Sequence, residues 1–156
     1  MRLRIRAVGR LRDGPEARLV KDYLARTART GARLGLGPAT VEEVEDRSGG
    51  GREAEAALLL RGIPPGAALC VLDERGRLLD SPAFAARLAD WRDAGTREAV
   101  FVIGGADGVA APLREGAGLL LSLGPMVWPH MLVRVMLAEQ LYRATSILSG
   151  APYHRA

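Results

Sequence analysis

Three short stretches of uninterrupted apolar residues constrain the fold of this chain more than any other feature. They cover residues 67–72, 99–103 and 119–123, and residues typical of turns flank them. Continuously apolar strands of this length are typical of the middle of a parallel sheet, where both faces are covered. Between two of them, Phe84, Leu88 and Trp91 recur at the spacing of one helix face. Strands that alternate with helices predict an α/β fold around a mostly parallel central sheet.

The remaining elements follow from shorter patterns. Arg2, Arg4 and Arg6 alternate with apolar residues, which predicts a first strand with one buried face. Ser81 and Pro82 are expected to open the middle helix as its N-cap and first-turn proline. Three further segments are predicted as a helix, a weak strand and a helix: 15–33, 39–45 and 53–60.

The last predicted helix, residues 129–149, is apolar around nearly its whole circumference in its first half. A helix of this kind needs cover on several sides. The 156 residues suit a single domain, 1–156, which offers little interior for such a helix. We therefore expect a subunit interface to supply part of the cover, and the chain to form a homodimer.

Charge is distributed unevenly along the chain. Residues 1–33 carry ten basic and three acidic side chains, whereas the rest carries twelve basic and fifteen acidic ones. This distribution favours one face that attracts phosphate, as in proteins that bind RNA. The alternative is an arginine-rich surface that is simply solvated.

Several classes of protein find no support in the sequence. The single cysteine, Cys70, excludes an internal disulfide, and two histidines 24 residues apart indicate no metal site. Residues 104–108 lack the G-x-G-x-x-G spacing of a dinucleotide site, and no Walker-type motif is present. Prolines and charged residues interrupt the apolar stretch 119–137, which argues against a membrane span. The start has no apolar core of a secretory signal, so we expect a cytoplasmic protein.

Three places carry residues suited to chemistry. Gly104 and Gly105 directly follow a buried strand, where ligands bind in open α/β sheets, although a tight connection is an alternative. His130 begins the last helix with Arg134 on the same face, and a structural or capping histidine is the alternative there. The segment 153–155 brings together a phenol, an imidazole and a guanidinium, which suit stacking, proton transfer and phosphate binding. A frayed tip is the alternative for this segment.

Four motifs in this order resemble one family: FVIGGADG at 101–108, LLLSL at 119–123, PHMLVR at 129–134 and PYHR at 152–155. The chain is similar to the RlmH family of bacterial ribosomal RNA methyltransferases, which belongs to the SPOUT superfamily. The resemblance implies an α/β fold with a C-terminal trefoil knot, assembled as a homodimer. It further implies S-adenosylmethionine (SAM) as methyl donor and N3 of a 23S rRNA pseudouridine in the assembled ribosome as acceptor.

The resemblance also assigns roles to residues. The implied SAM site comprises the end of a central strand, the Gly-Gly turn and the loop before the last helix: Leu72, Gly104, Gly105, Leu123, Gly124, Pro125, Met126, Val127 and Trp128. The implied catalytic group has His154 as the candidate base, Arg143 or Arg155 as the stabilising cation and Tyr153 as the stacking residue. RNA contacts are expected from Arg2, Arg4, Arg6, Arg10, Arg12, His130 and Arg134.

Two other functions stay open at this point. A knotted methyltransferase could act on another rRNA site or on tRNA. A dimer that binds RNA or the ribosome without catalysis belongs to a different class, and SAM binding distinguishes it from both enzymes.

Overall fold

Five parallel strands form one sheet in the computed structural model, which describes residues 1–154. The spatial order of the strands is β2-β1-β4-β3-β5. In chain order the elements are β1 (Arg2–Val8), α1 (Pro15–Gly31), a short 3-10 helix (Ala32–Leu34), β2 (Ala39–Val44), α2 (Gly51–Leu60), β3 (Ala68–Leu78), α3 (Ser81–Asp93), β4 (Glu98–Ile103), α4 (Ala111–Glu115), β5 (Leu119–Ser122) and α5 (His130–Leu148). The predicted α/β fold with a parallel sheet is confirmed.

Helices cover both faces of the sheet. On one face α5 packs against α1 and α3, and its Leu137 and Leu141 join Phe101 in the larger core. On the other face α2 and α4 pack together over a smaller core that includes Val100 and Val102. Neighbouring residues of β4 therefore point into different cores, which explains why this strand is buried at every position and apolar at all but its first residue, Glu98.

Three local expectations are corrected by the structure. The N-cap of α3 is Asp80 and not Ser81, because the Asp80 carboxylate accepts the backbone N–H of Ala83 at 2.7 Å. The five residues of α4 were not expected, since so short a helix shows no periodicity in the sequence. β1 is also covered on its second face, where the side chain of Arg6 is buried.

The start of α5 and the loop before it expose apolar side chains. Within the described part of the chain, Met126, Val127, Trp128, Met131 and Leu132 are all more than a third exposed. Further along α5, Leu137, Ala138 and Leu141 are completely buried against the sheet. No helix in residues 1–154 is long and apolar enough to span a membrane.

Candidate active site

A cleft of about 330 Å³ lies at the carboxyl edge of the sheet, between the ends of β3, β4 and β5 and the start of α5. Eight of the nine residues expected at the cofactor site line it, and the exception is Pro125. The eight are Leu72, Gly104, Gly105, Leu123, Gly124, Met126, Val127 and Trp128. Three segments that are distant in the sequence are therefore brought together, because parallel strands end at the same edge of the sheet.

The Gly-Gly turn after β4 has no space for side chains. A Cβ atom on Gly104 would lie 2.7 Å from Cγ1 of Val109 and 2.9 Å from the carbonyl oxygen of Gly108. A Cβ on Gly105 would lie 2.9 Å from Oε1 of Glu55. The N–H of Gly108 donates to the carbonyl of Gly105 at 3.1 Å and closes the turn. The absence of side chains leaves the backbone free to approach a ligand closely.

A second turn forms the opposite wall of the cleft. The Ser122 hydroxyl accepts the N–H of Gly124 at 3.2 Å, and Gly124 has a φ of 111°, a conformation that favours glycine. The loop that follows is exposed from Pro125 onward, and Val127 has 89% of its surface accessible. This wall therefore presents backbone groups and apolar side chains at the mouth of the cleft.

Acidic side chains that sequence reasoning missed stand at the cleft. Asp73 and Asp107 line it, and Glu55 lies behind Gly105. Burial, followed by repulsion from Asp107, raises the pKa of Glu55 above its usual value. The sequence held a signal for two of them: Asp73 directly follows the apolar stretch 67–72, and Asp107 lies within the glycine-rich turn. Arg52, Arg75 and Arg114 line the same cleft, and Arg114 lies 4.0 Å from Asp73, so the lining carries both signs of charge.

The end of the chain that the structure describes packs against α5. The Tyr153 hydroxyl donates to Oε1 of Glu139 at 3.0 Å, and the Arg143 guanidinium lies over the Tyr153 ring, 4.8 Å from its centroid. Arg143 also forms an ion pair with Glu139, and its NH1 lies 3.5 Å from Nδ1 of His154. Tyr142 packs on the Tyr153 ring with the centroids 4.6 Å apart. We call Glu139, Arg143, Tyr153 and His154 the tail cluster.

Electrostatics fix the protonation of two members of the tail cluster. Burial first, and then hydrogen bonds with Tyr23 and Glu139, raise the pKa of Tyr153, so its phenol stays neutral at physiological pH. The hydrogen bond to Glu139 raises the pKa of Arg143, which keeps the guanidinium positively charged. Arg155, the last residue expected in this group, lies outside the described residues.

The structure separates the arginines expected to bind RNA into two groups. Arg6 and Arg134 are buried within this chain, where Arg6 donates to the Leu59 carbonyl and pairs with Glu42. Arg2 and Arg4 both form ion pairs with Glu98. Arg10 and Arg12, in contrast, are exposed in the loop after β1. His130 is half-buried and lines the cleft. Arg2 keeps 65% of its side chain exposed but stands at the amino edge of the sheet, away from the cleft, so the expectation of phosphate contacts beside the cleft is kept for Arg10 and Arg12.

The tail cluster and the cleft lie apart in the described part of the chain. No member of the cluster lines the cleft, and Arg143 follows His130 by thirteen residues of α5. At 1.5 Å per residue this separation is about 20 Å along the helix. Within residues 1–154, no three His, Cys, Asp or Glu side chains are grouped as a metal site requires.

Comparison with known proteins places this arrangement in a family. Residues 1–154 match the model of the family described as "Predicted SPOUT methyltransferase". The chain is 67% identical over 155 residues to "Ribosomal RNA large subunit methyltransferase H" from Paracoccus denitrificans, with 99% of each chain covered. The protein of that name from Roseobacter denitrificans is also 67% identical, with the same coverage.

A distant likeness to a solved structure adds no argument. A probable methylase family protein from Haemophilus influenzae Rd KW20 matches 99% of this chain and 70% of its own, with 10% identity and a TM-score of 0.47. The family model and the two full-length relatives show the family by themselves. The chain belongs to the SPOUT methyltransferase family, in the group of the ribosomal RNA large subunit methyltransferases H.

Proposed function

We propose that this protein transfers a methyl group from SAM to N3 of a pseudouridine in 23S rRNA of the large ribosomal subunit, in the bacterial cytoplasm. The relatives named above are ribosomal RNA large subunit methyltransferases. The observation that carries the proposal is the single cleft that brings together the Gly-Gly turn, the end of β3 and the loop after β5. These are the segments that the family resemblance assigns to SAM.

The residues at the cleft fit SAM chemically. Backbone groups of Gly104, Gly105 and the loop after β5 can hydrogen-bond the adenine ring and enclose it. The acidic and basic side chains of the lining complement a cofactor that carries both a positive sulfonium and a negative carboxylate. When bound, SAM supplies an electrophilic methyl group on its sulfonium.

The tail cluster has the chemistry to prepare the acceptor nitrogen. In the proposed reaction the bond between sulfur and the methyl carbon breaks, a bond from the carbon to N3 forms, and the N3 proton passes to His154. Arg143 stabilises the negative charge that develops on the pseudouridine ring, and the neutral ring of Tyr153 stacks on the base. Because Arg143 can only donate, Nδ1 of His154 accepts in their contact. At 3.5 Å the contact is weak, so a hydrogen bond from the N3–H group of the substrate can replace it.

A homodimer accounts for the separation of the tail cluster from the cleft. A second copy would bring its own tail cluster to the cleft of the first, so that each site uses both subunits. The apolar side chains exposed around the cleft, Met126, Val127, Trp128, Met131 and Leu132, support an interface in this region. An apolar groove of about 640 Å³ between α1, α3 and α5 provides a further surface for the partner.

We also propose the trefoil knot of the superfamily. It is supported by a close backbone contact between β5 and the irregular stretch of β3 between Leu72 and Arg77. A Cβ on Gly76 would lie 2.5 Å from the carbonyl carbon of Leu121, so the two segments touch through their backbones. The RNA, in turn, would meet Arg10 and Arg12 at the same edge of the sheet.

Methyl transfer to ribosomes that lack this modification tests the function. Labelled SAM is incubated with the protein and ribosomes, and the labelled nucleotide is identified by mass spectrometry. Gly104→Ala should abolish SAM binding and transfer, because its methyl group would meet Val109 and Gly108. Gly118→Ala is the matched control, since its Cβ would have an ordinary contact of 3.6 Å with the Leu69 carbonyl.

The outcomes separate the remaining functions. A methyl group on N3 of a large-subunit pseudouridine supports the proposal. SAM binding without transfer to ribosomes favours a different rRNA site or tRNA as substrate. The absence of SAM binding at millimolar concentration favours a dimer that binds RNA without catalysis. A monomer in sedimentation equilibrium contradicts the shared active site.

A further inference from the structure

Arg134 makes an unusual set of contacts from the start of α5. Its side chain is 1% exposed, and it is the largest fully buried side chain in the described residues. NH1 donates to Oε1 of Glu43 at 3.0 Å, and NH2 donates to the carbonyls of Gly9, at 2.9 Å, and Val8. One guanidinium thus connects the helix to the ends of two strands, β1 and β2.

The same carboxylate oxygen holds the loop after β1. Oε1 of Glu43 also accepts the backbone N–H of Leu11 at 2.7 Å. Gly9 and Leu11 flank Arg10, whose side chain is exposed, and Arg12 follows directly. Arg134 and Glu43 therefore fix the backbone on which the two candidate phosphate-binding arginines stand.

Arg134 also lies next to the cofactor cleft along the helix. His130, one turn earlier, lines the cleft, and so does the neighbouring Val133. Arg134 thereby joins the helix turn that borders the cleft to the loop that carries Arg10. Loss of the Arg134 contacts would therefore change the distance between bound RNA and bound cofactor.

Stability alone does not explain a buried arginine at this position. Burial lowers the pKa of Arg134, and its Nε finds no partner among residues 1–154. Buried charges of this kind cost desolvation energy that their ion pair offsets only in part, so they contribute little net stability. The five donors of a guanidinium do, however, hold several acceptors in one fixed geometry.

We propose that Arg134, with Glu43, is a positioning residue that sets the RNA-binding loop against the cofactor cleft. The base to be methylated then reaches the methyl group in line for transfer. This inference rests on the proposed function. It assigns to Arg134 a role inside the chain in place of the phosphate contact expected from the sequence.

Three variants test the inference. Arg134→Lys keeps the positive charge but replaces two guanidinium nitrogens by a single ammonium nitrogen, which cannot hold the two carbonyls and the carboxylate in the same geometry. Glu43→Met keeps the approximate size of the side chain but removes the oxygen that accepts from Arg134 and Leu11, and serves if Arg134→Lys does not fold. Arg92→Lys is the matched control, because Arg92 donates to the Leu34 carbonyl at 3.0 Å and to Asp93, beyond the opposite edge of the sheet.

Single-turnover methylation of ribosomes, calorimetric SAM binding and thermal melting are measured for each variant. We expect the Arg134→Lys and Glu43→Met rates to fall about tenfold to a hundredfold, as misplacement of reactants by an ångström does. The SAM Kd should stay unchanged, and Arg92→Lys should match the wild type in both. Wild-type rates in both variants refute the inference, and so does a rate loss that merely follows weaker SAM binding. No transfer by the wild type itself refutes the proposed function and the inference with it.

Discussion

Replacement of Glu139 by glutamine should release the tail cluster. Oε1 of Glu139 accepts from both Arg143 and Tyr153, and Oε2 accepts from the Gln140 amide at 2.8 Å. A glutamine has only one oxygen, so its amide nitrogen would face a donor on one side. With its oxygen in the Oε1 position the glutamine still accepts from Arg143 and Tyr153 and loses the Gln140 bond, so the tail cluster loses the attraction between Arg143 and a negative charge.

The size of the effect follows from this geometry. The Glu139 side chain is 17% exposed and that of Arg143 25%, so water screens their ion pair only in part. A hydrogen bond to a charged group contributes about 1.5–3 kcal/mol. We take about 1.5 kcal/mol, the lower end, because these groups are near the surface. For a chain of this size that corresponds to a decrease in Tm of about 3–6 °C.

The same loss should lower the rate of methyl transfer. A free energy of about 1.4 kcal/mol corresponds to a factor of ten, so the equilibrium constant for packing of the tail falls about tenfold and the rate falls by up to the same factor. Single-turnover kinetics with saturating SAM measure the rate, and differential scanning calorimetry measures the Tm. Asp22→Asn is the control, since it removes a single ion pair between Asp22 and Arg26. Their side chains are 48% and 43% exposed, respectively.

A Glu139→Gln variant that matches Asp22→Asn in both Tm and rate would show that Glu139 does not hold the tail. A lower Tm with an unchanged rate would leave the cluster a structural role and remove it from the reaction.

Three further predictions concern the core and a helix end. Cys70 should resist thiol reagents at pH 8 until the protein is unfolded, because burial raises its pKa to about 12; labelling of the native protein would contradict this. Asp80→Ala should lower the free energy of unfolding by about 1 kcal/mol, since α3 loses its cap, whereas Asp80→Asn should retain most of the stability in urea titrations. Phe101→Ala should cost about 3–5 kcal/mol, because the ring is wholly buried against Phe84 and Trp91, and a smaller loss would indicate that the core collapses into the cavity.

The sequence was most informative where a segment is apolar on all sides. Residues 99–103 had to be a central strand, and β4 is indeed covered on both faces. The arginines of β1 were harder to place. Their alternation with apolar residues predicts an exposed face, but α2 covers it and its terminal carbonyl at Leu59 accepts from Arg6. Such cover depends on a helix about fifty residues away, which a local pattern does not register.

The candidate site divides in the same way. Backbone contributions from Gly104, Gly105 and the loop after β5 follow from motifs, because glycines after strands mark close approaches. The acidic lining was harder to recognise, since the positions of Asp73 and Asp107 after a strand and within a turn point to one site only when β3 and β4 lie side by side. The contacts of Glu139 with Tyr153 depend on the chain turning back after α5, and no periodicity encodes that turn.

The helix α5 carries the cleft wall at one end and the tail cluster near the other, so its length sets the distance between these two sites. One residue inserted between Arg134 and Glu139 would rotate everything beyond it by about 100° and shift it by about 1.5 Å. If Leu137 and Leu141 then stayed against the sheet, the Arg134 contacts would break. If the Arg134 contacts stayed, the two leucines would leave the sheet. Loops such as 48–51 can change in length without this conflict. Insertions and deletions among proteins of this design should therefore fall in loops and spare the last helix, whatever substitutions it accumulates.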